Sequence, residues 1–264
     1  VDITDLALAG PDQLWIYAGR LRRSHDAGAH WNVLPTFSGK SLRSVRMGSL
    51  TTGWAGGEDS KLLKTARGGN NWFEQVDLSF GLVTLEAVDD QHAWILSGNS
   101  LHRTIDGGQT WETVDLTRYG AKDVDFVDRD HGWLIFDSQV LATVDGGLTW
   151  TPQTAPGATY LDVDFVDDLH GWIMAKVDRQ RVWLKTDDGG LTWSQVGGAI
   201  EARMGSPMDF ADLNHGWAID QGSASDYSPL VVMRTDDGGA HWQPASSSGQ
   251  YYNVDFANAL EGWV

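Results

Sequence analysis

The chain has no cysteine, so neither disulfides nor thiolate metal sites hold it together, and cysteine usage does not report its redox compartment. Basic side chains are scarce: 19 Lys and Arg stand against 36 Asp and Glu, a formal charge of −17. That excludes the basic stripe which phosphate-backbone binding needs, and no nucleic-acid partner is expected. No apolar run approaches membrane-spanning length and no charged-then-apolar leader opens the sequence, so direct membrane insertion is not expected either. The first residue is Val1 rather than methionine, which favours a removed or omitted upstream segment and an extracytoplasmic protein, whether periplasmic, lumenal or secreted. No Gly-x-Ser-x-Gly elbow is present, and the Gly-Gly pairs open no helix. Serine-nucleophile and phosphate-loop chemistry therefore find no support.

Tryptophan, by contrast, is abundant, with 14 in 264 residues. Six of them close copies of an eight-residue pattern, S/T-x-D-x-G-x-x-W, at Ser24 to Trp31, Thr65 to Trp72, Thr104 to Trp111, Thr143 to Trp150, Thr186 to Trp193 and Thr235 to Trp242. The acid stands as Asp26, Asp106, Asp145, Asp188 and Asp237, and Arg67 replaces it in the second copy. A short acceptor side chain that folds back on nearby amides, followed by glycines able to take positive φ, predicts a hairpin turn whose tryptophan starts the return strand. A carboxylate repeated in nearly every unit reads as a fold-forming group, not a catalytic acid.

A second class of tryptophan recurs between these motifs as Trp15, Trp54, Trp94, Trp133, Trp172, Trp217 and Trp263, usually after glycine and often as His-Gly-Trp. Their spacing of 39 to 46 residues is the period of a four-stranded propeller blade. Eight residues before each stands a mostly acidic position flanked by apolar residues, as in Val124-Asp125-Phe126, the alternation of a half-buried strand. Each unit thus predicts strands A and B joined by a turn such as Asp128 to His131, strand C leading into the motif, and strand D leaving it. The histidines His131, His170 and His215 read as turn-formers, and the basic residues before the motifs, such as Arg23 and Lys64, read as solvated strand charges. The expectation is a single all-β domain over 1–264: a seven-bladed β-propeller of four-stranded antiparallel blades, six complete and the last reduced to strands A and B.

The motifs Arg103-Thr-x-Asp-Gly-Gly-x-Thr-Trp111 and Asp128-x-x-His-Gly-Trp133 together resemble the Asp-box (BNR) propellers, and most of all the photosystem II stability/assembly-factor-like group. The resemblance covers all units, and it implies a non-enzymatic scaffold that binds another protein or multi-protein assembly. Sialidases and xyloglucan-cleaving glycosidases also contain Asp-boxes, so a glycoside hydrolase is the alternative. The sequence lacks the Arg-Ile-Pro motif that a sialidase resemblance would want, and its short units leave little room for long acid-bearing loops.

Two places are candidate sites. The fifth and sixth units have the longest B–C connections, containing Arg179, Arg181, Trp183, Asp226 and Tyr227, and the connector between these units adds Glu201 and Arg203. Extra length with an aromatic and paired charges on one rim suits a partner-binding patch; alternatively loop length has drifted and Trp183 packs on its neighbour. The second candidate is the strand A acidic row of Glu86, Asp125, Asp164, Asp209 and Asp255, with Asp123 and Asp162 two residues earlier. These acids could converge on a central channel, either hydrated, balanced by Arg46, or binding calcium through oxygen ligands. No other cofactor or metal is expected.

Overall fold

The computed structural model describes residues 5–10, 12–34, 42–57, 61–77, 81–116, 120–157, 159–178, 180–200, 204–220, 231–245, 254–258 and 261–263. Every regular element among them is a strand. The chain divides into two compact units, 1–121 and 122–264. The first holds three blades: β1 to β4 (Asp5–Gly10, Gln13–Tyr17, Leu21–Ser24, Asn32–Val33), β5 to β8 (Leu42–Met47, Gly53–Gly57, Lys61–Thr65, Phe73–Asp77) and β9 to β12 (Leu82–Ala87, Ala93–Ser97, Ser100–Thr104, Glu112–Asp115). The second holds β13 to β16 (Asp123–Phe126, Gly132–Ile135, Val140–Thr143, Thr151–Gln153), β17 to β20 (Thr159–Phe165, Gly171–Val177, Gln180–Thr186, Ser194–Ile200) and β21 to β24 (Met204–Phe210, Gly216–Asp220, Val231–Thr235, Gln243–Pro244). In each blade, neighbouring strands in sequence are neighbours in the sheet and run antiparallel. This is a β-propeller built of four-stranded blades.

The expected seven blades are corrected to six. β25 (Asp255–Asn258) and β26 (Glu261–Trp263) pair only with each other, as a two-stranded sheet. The repeat spacing counted an A–B pair as a blade, but a blade also needs the C and D strands that flank the tryptophan motif, and the sequence holds six such motifs.

The motif turns are built as their chemistry dictates. In the fourth blade the Thr143 hydroxyl accepts the Gly147 amide at 2.9 Å and donates to Asp145 Oδ1 at 2.8 Å. Asp145 then accepts the Thr149 amide at 2.9 Å and the Thr149 hydroxyl at 2.6 Å. Gly146 and Gly147 stand at φ of 68° and 89°, where a Cβ would be strained. The same bonds recur at Asp106 and Asp188, and His30 and His241 take the threonine's place beside Asp26 and Asp237. With Arg67 in the acid's position, the second turn keeps only the Thr65 share of the network. The A–B turns use the same device. Asp128 Oδ1 accepts the amides of Asp130 and His131, each at 2.7 Å, and the carboxylate holds His131 Nδ1 at 2.9 Å. Asp89 with His92, Asp167 with His170 and Asp212 with His215 repeat this geometry, and Ser49 substitutes in the second blade.

Blades adhere through a recurrent aromatic stack. Trp133 of one blade lies parallel to Phe165 of the next, centroids 3.4 Å apart, and Trp193 meets the same phenyl edge-on at 5.8 Å. Trp172, Phe210 and Trp242 repeat the arrangement one blade on. Each such pair contributes about 0.5–1.5 kcal/mol beyond the area it buries. The glycine of His-Gly-Trp is explained by the same phenyl. Gly171 is the cross-strand partner of Phe165, and a Cβ there would fall 2.4 Å from the ring. Gly132 and Gly216 stand likewise under Phe126 and Phe210.

Two substitutions test this account by urea unfolding. Gly171→Ala is expected to destabilise the fold by about 1–3 kcal/mol through overpacking against Phe165. Arg67→Asp is expected to stabilise it by about 1 kcal/mol, because the new carboxylate would accept the Asn71 amide as Asp145 accepts that of Thr149.

Candidate functional site

Strand A is an edge of its sheet, so its outward amides have no strand to pair with and require another acceptor. The strand A acids supply one to the following blade. Asp125 Oδ2 accepts the Phe165 amide at 2.7 Å, and Asp164 Oδ2 accepts that of Phe210 at 2.7 Å. The acids two residues earlier form a second row: Asp5 Oδ2 accepts the Val45 amide at 2.6 Å, and Asp162 Oδ2 accepts that of Met208 at 2.9 Å. Asp123 takes the Val163 amide in the same way. Within 1–121, Arg46 draws the row together, with Nη1 3.1 Å from Asp5 and Nε 3.5 Å from Glu86.

In 122–264 no arginine stands in the row, and the carboxyls act on one another. Burial pushes Asp123 well above the usual carboxylate range, and the Asp162 charge and hydrogen bond add to it. Asp164 is raised first by burial, then by the charges of Asp209, Asp125 and Asp162. Asp209 and Asp255 lie on β21 and β25 and are half-buried. Among the described residues, no group of three or more His, Cys, Asp or Glu is arranged to hold a metal ion.

The long-connection candidate divides in two. Arg179, Glu201, Arg203, Asp226 and Tyr227 lie outside the described residues. The B–C extension of the fifth blade is described, and it is sheet: β18 and β19 each run seven residues, against four for β14 and β15. Residues along an extended strand alternate between faces. Trp183 falls on the inner one, 0% exposed, stacked on Trp242 at 4.8 Å and edge-on to Phe210 at 6.4 Å. Its place in a docking patch is corrected: the indole is core. Lys176, Asp178 and Gln180 are exposed at the hairpin tip, Arg181 is half-buried beside them, and Asp178 makes the turn at φ 48°.

The basic residues before the motifs are also corrected. Arg23 Nη1 donates to the Gly68 carbonyl and Lys64 Nζ to the Gly107 carbonyl, each in the motif turn of the following blade. Both cations also lie over a tryptophan of their own blade, at 5.4 Å from Trp15 and 5.3 Å from Trp54. In the fourth and fifth blades the indole itself makes the equivalent bond, Trp133 Nε1 to Gly189 and Trp172 Nε1 to Gly238, each at 2.9 Å, with Ala142 in the basic position of one and Lys185 in that of the other. The signal for this role was the basic residue's recurrence at one fixed position; its receptor lies more than 40 residues away.

No family model matches the chain, and no curated protein matches it. Solved structures do. The chain is similar to YCF48 bound to D1 peptide, at 19% identity and TM-score 0.73, covering 98% of this chain and 88% of that one. It is similar to YCF48 from Cyanidioschyzon merolae at 18% identity and TM-score 0.75, covering 98% and 91%. It is also similar to the GH74 xyloglucanase from Xanthomonas campestris at 13% identity and TM-score 0.68, covering 92% of this chain and 45% of that one. At these identities the likeness is one of fold.

The carboxylates give stability a two-sided pH dependence. Asp26 is lowered to about 2 by the His30 amide, then by the His30 ring and Ser24, and Asp106 to about 2 by the Thr110 hydroxyl and amide. Their contribution is present above the ordinary Asp value of about 4 and is lost as pH falls through about 2. The raised Asp123 and Asp164 act oppositely: their protonated forms favour the fold, a contribution full below about 4 and lost as pH rises through their elevated values. The melting temperature should therefore peak in mild acid, and Asp123→Asn should flatten the alkaline limb while leaving the acid limb in place, as read by calorimetry across pH.

Proposed function

We propose that this chain is a non-enzymatic protein-binding assembly factor of the Asp-box, YCF48-like kind. The observation that carries the reading is its likeness, over nearly its whole length, to a propeller whose structure holds a peptide. The docking place we assign is the end of the fifth blade bearing the extended β18–β19 hairpin, where Lys176, Asp178 and Arg181 group polar side chains above a rigid aromatic core. A rigid base that presents exposed charges suits a surface that must hold its shape before the partner arrives. Arg179, Glu201, Arg203, Asp226 and Tyr227 belong to this assignment by their sequence position, and an extracytoplasmic location belongs to the same proposal.

Glycoside hydrolysis of the sialidase or xyloglucanase type is the second reading, supported by the likeness to the GH74 fold. It requires two carboxyls set across a cleft at a separation that fits the reaction. Asp125 and Asp164 are already engaged by backbone amides, which supports a structural role for them.

The test is affinity capture from the source organism with the intact protein, comparing wild type with an Arg179→Ala/Arg181→Ala variant in which Trp183 is kept. A defined partner, depleted at least about tenfold in the variant at an unchanged melting temperature, is the expected result. Retention of that partner by the variant would move the interface elsewhere. Release of sugar from xyloglucan or a sialoside, with no partner captured, would replace the scaffold by the hydrolase.

A further inference from the structure

In an antiparallel four-stranded blade the A–B and C–D turns share one end, and the B–C hairpin points to the other. Within 122–264 the turn end is a continuous surface. The first glycine of each motif donates to its own blade's A–B turn, Gly146 to the Asp130 carbonyl and Gly189 to that of Leu169, both at 2.8 Å. Trp133 and Trp172 then tie each blade to the next through the Gly189 and Gly238 carbonyls. Of the nine large apolar side chains exposed among the described residues, five lie on this end: Val144, Leu148, Leu169, Leu191 and Leu213. Val144 and Leu191 are 73% and 70% exposed, although each sits in a turn whose hydrogen bonds hold it firmly. Single exposed aliphatics are ordinary, but their gathering on one ordered surface marks an interaction site.

Charge names the occupant. Residues 122–264 hold 22 Asp and Glu against 8 Lys and Arg, whereas 1–121 hold 14 against 11. Much of the excess stands among these aliphatics, and the cations there are already matched: Arg129 with Asp130, Lys185 with Asp187, Arg234 with Asp236, and His131, His170 and His215 with the Asp of their turns. An anionic bilayer and a second copy of a chain of charge −17 are both repelled. We infer that the turn end of blades four to six docks a basic amphipathic segment of another protein, its apolar side chains seated among Val144, Leu148 and Leu191 and its Lys or Arg facing the surrounding aspartates. This surface lies at the opposite end of the blades from the β18–β19 hairpin and does not depend on the docking place assigned there.

Binding is measured by fluorescence anisotropy with a labelled synthetic peptide of Lys and Leu at amphipathic helical spacing, beside a matched peptide with Ser for each Leu. The intact protein should bind the Leu peptide at least about tenfold tighter than the Ser peptide near physiological salt. Val144→Ser/Leu148→Ser/Leu191→Ser should remove that preference at an unchanged melting temperature, and Asp168→Asn, at an exposed acid of the same end, should weaken binding and flatten its salt dependence. Arg181→Ala should leave the affinity unaltered, which separates this surface from the hairpin. Equal affinity for both peptides, or a serine variant that binds as wild type does, would overturn the inference, because charge alone would then account for the attraction.

Discussion

The structure depends on how an edge strand satisfies amides that no further strand can reach. A sheet that ends in an innermost strand leaves N–H groups unpaired, and each one buried without an acceptor costs as much as a lost hydrogen bond. Here the preceding blade supplies carboxylates at that position: Asp5 for Val45, Asp125 for Phe165, Asp162 for Met208 and Asp164 for Phe210. A carboxyl oxygen that accepts the amide satisfies both groups at once and offsets part of the cost of burying them. The aromatic stack and the glycine beneath it follow, because amides fixed at that distance also bring Trp133 onto Phe165 and Phe165 onto Gly171.

The same solution creates a tension that the two units resolve differently. Within 1–121, Arg46 stands among the acids and bonds to Asp5 and Glu86. Within 122–264 the acids face one another, so Asp123 and Asp164 hold their protons well above the usual range. A carboxyl that keeps its proton can still accept an amide, so the bonds between blades survive while the repulsion is relieved.

What the sequence made legible was local. The hydroxyl, carboxylate and glycines of Thr143 to Trp150 lie within one turn and can meet only in one way, and the Asp128 to His131 turn is as self-contained. The alternation around Asp125 correctly marked a half-buried strand, but the partner of its carboxylate is an amide 40 residues on, which no spacing inside one unit discloses. The insertion at Lys176 to Trp183 breaks the period and so has the look of a loop; the added residues lengthen two paired strands, and alternation sends Trp183 inward. Arg23 and Lys64 are opaque for a related reason: a basic residue on a short strand reads as solvated until the carbonyl of the next blade's turn is brought against it.

Within each unit the recurrent junctions point the same way along the chain. The amide-binding carboxyl, the indole and the cation before the motif belong to the earlier blade, and amide, phenyl and glycine carbonyl to the later one; Arg46, which reaches back to Asp5 and forward to Glu86, is the exception. A blade built this way carries a plug on one side and a socket on the other, and it fits a successor that keeps the two glycines and the strand A register. Within either compact unit, duplication of such a blade would repeat a joint whose chemistry is already present. Blade number in such a chain can change by copying alone, without the invention of a single new contact.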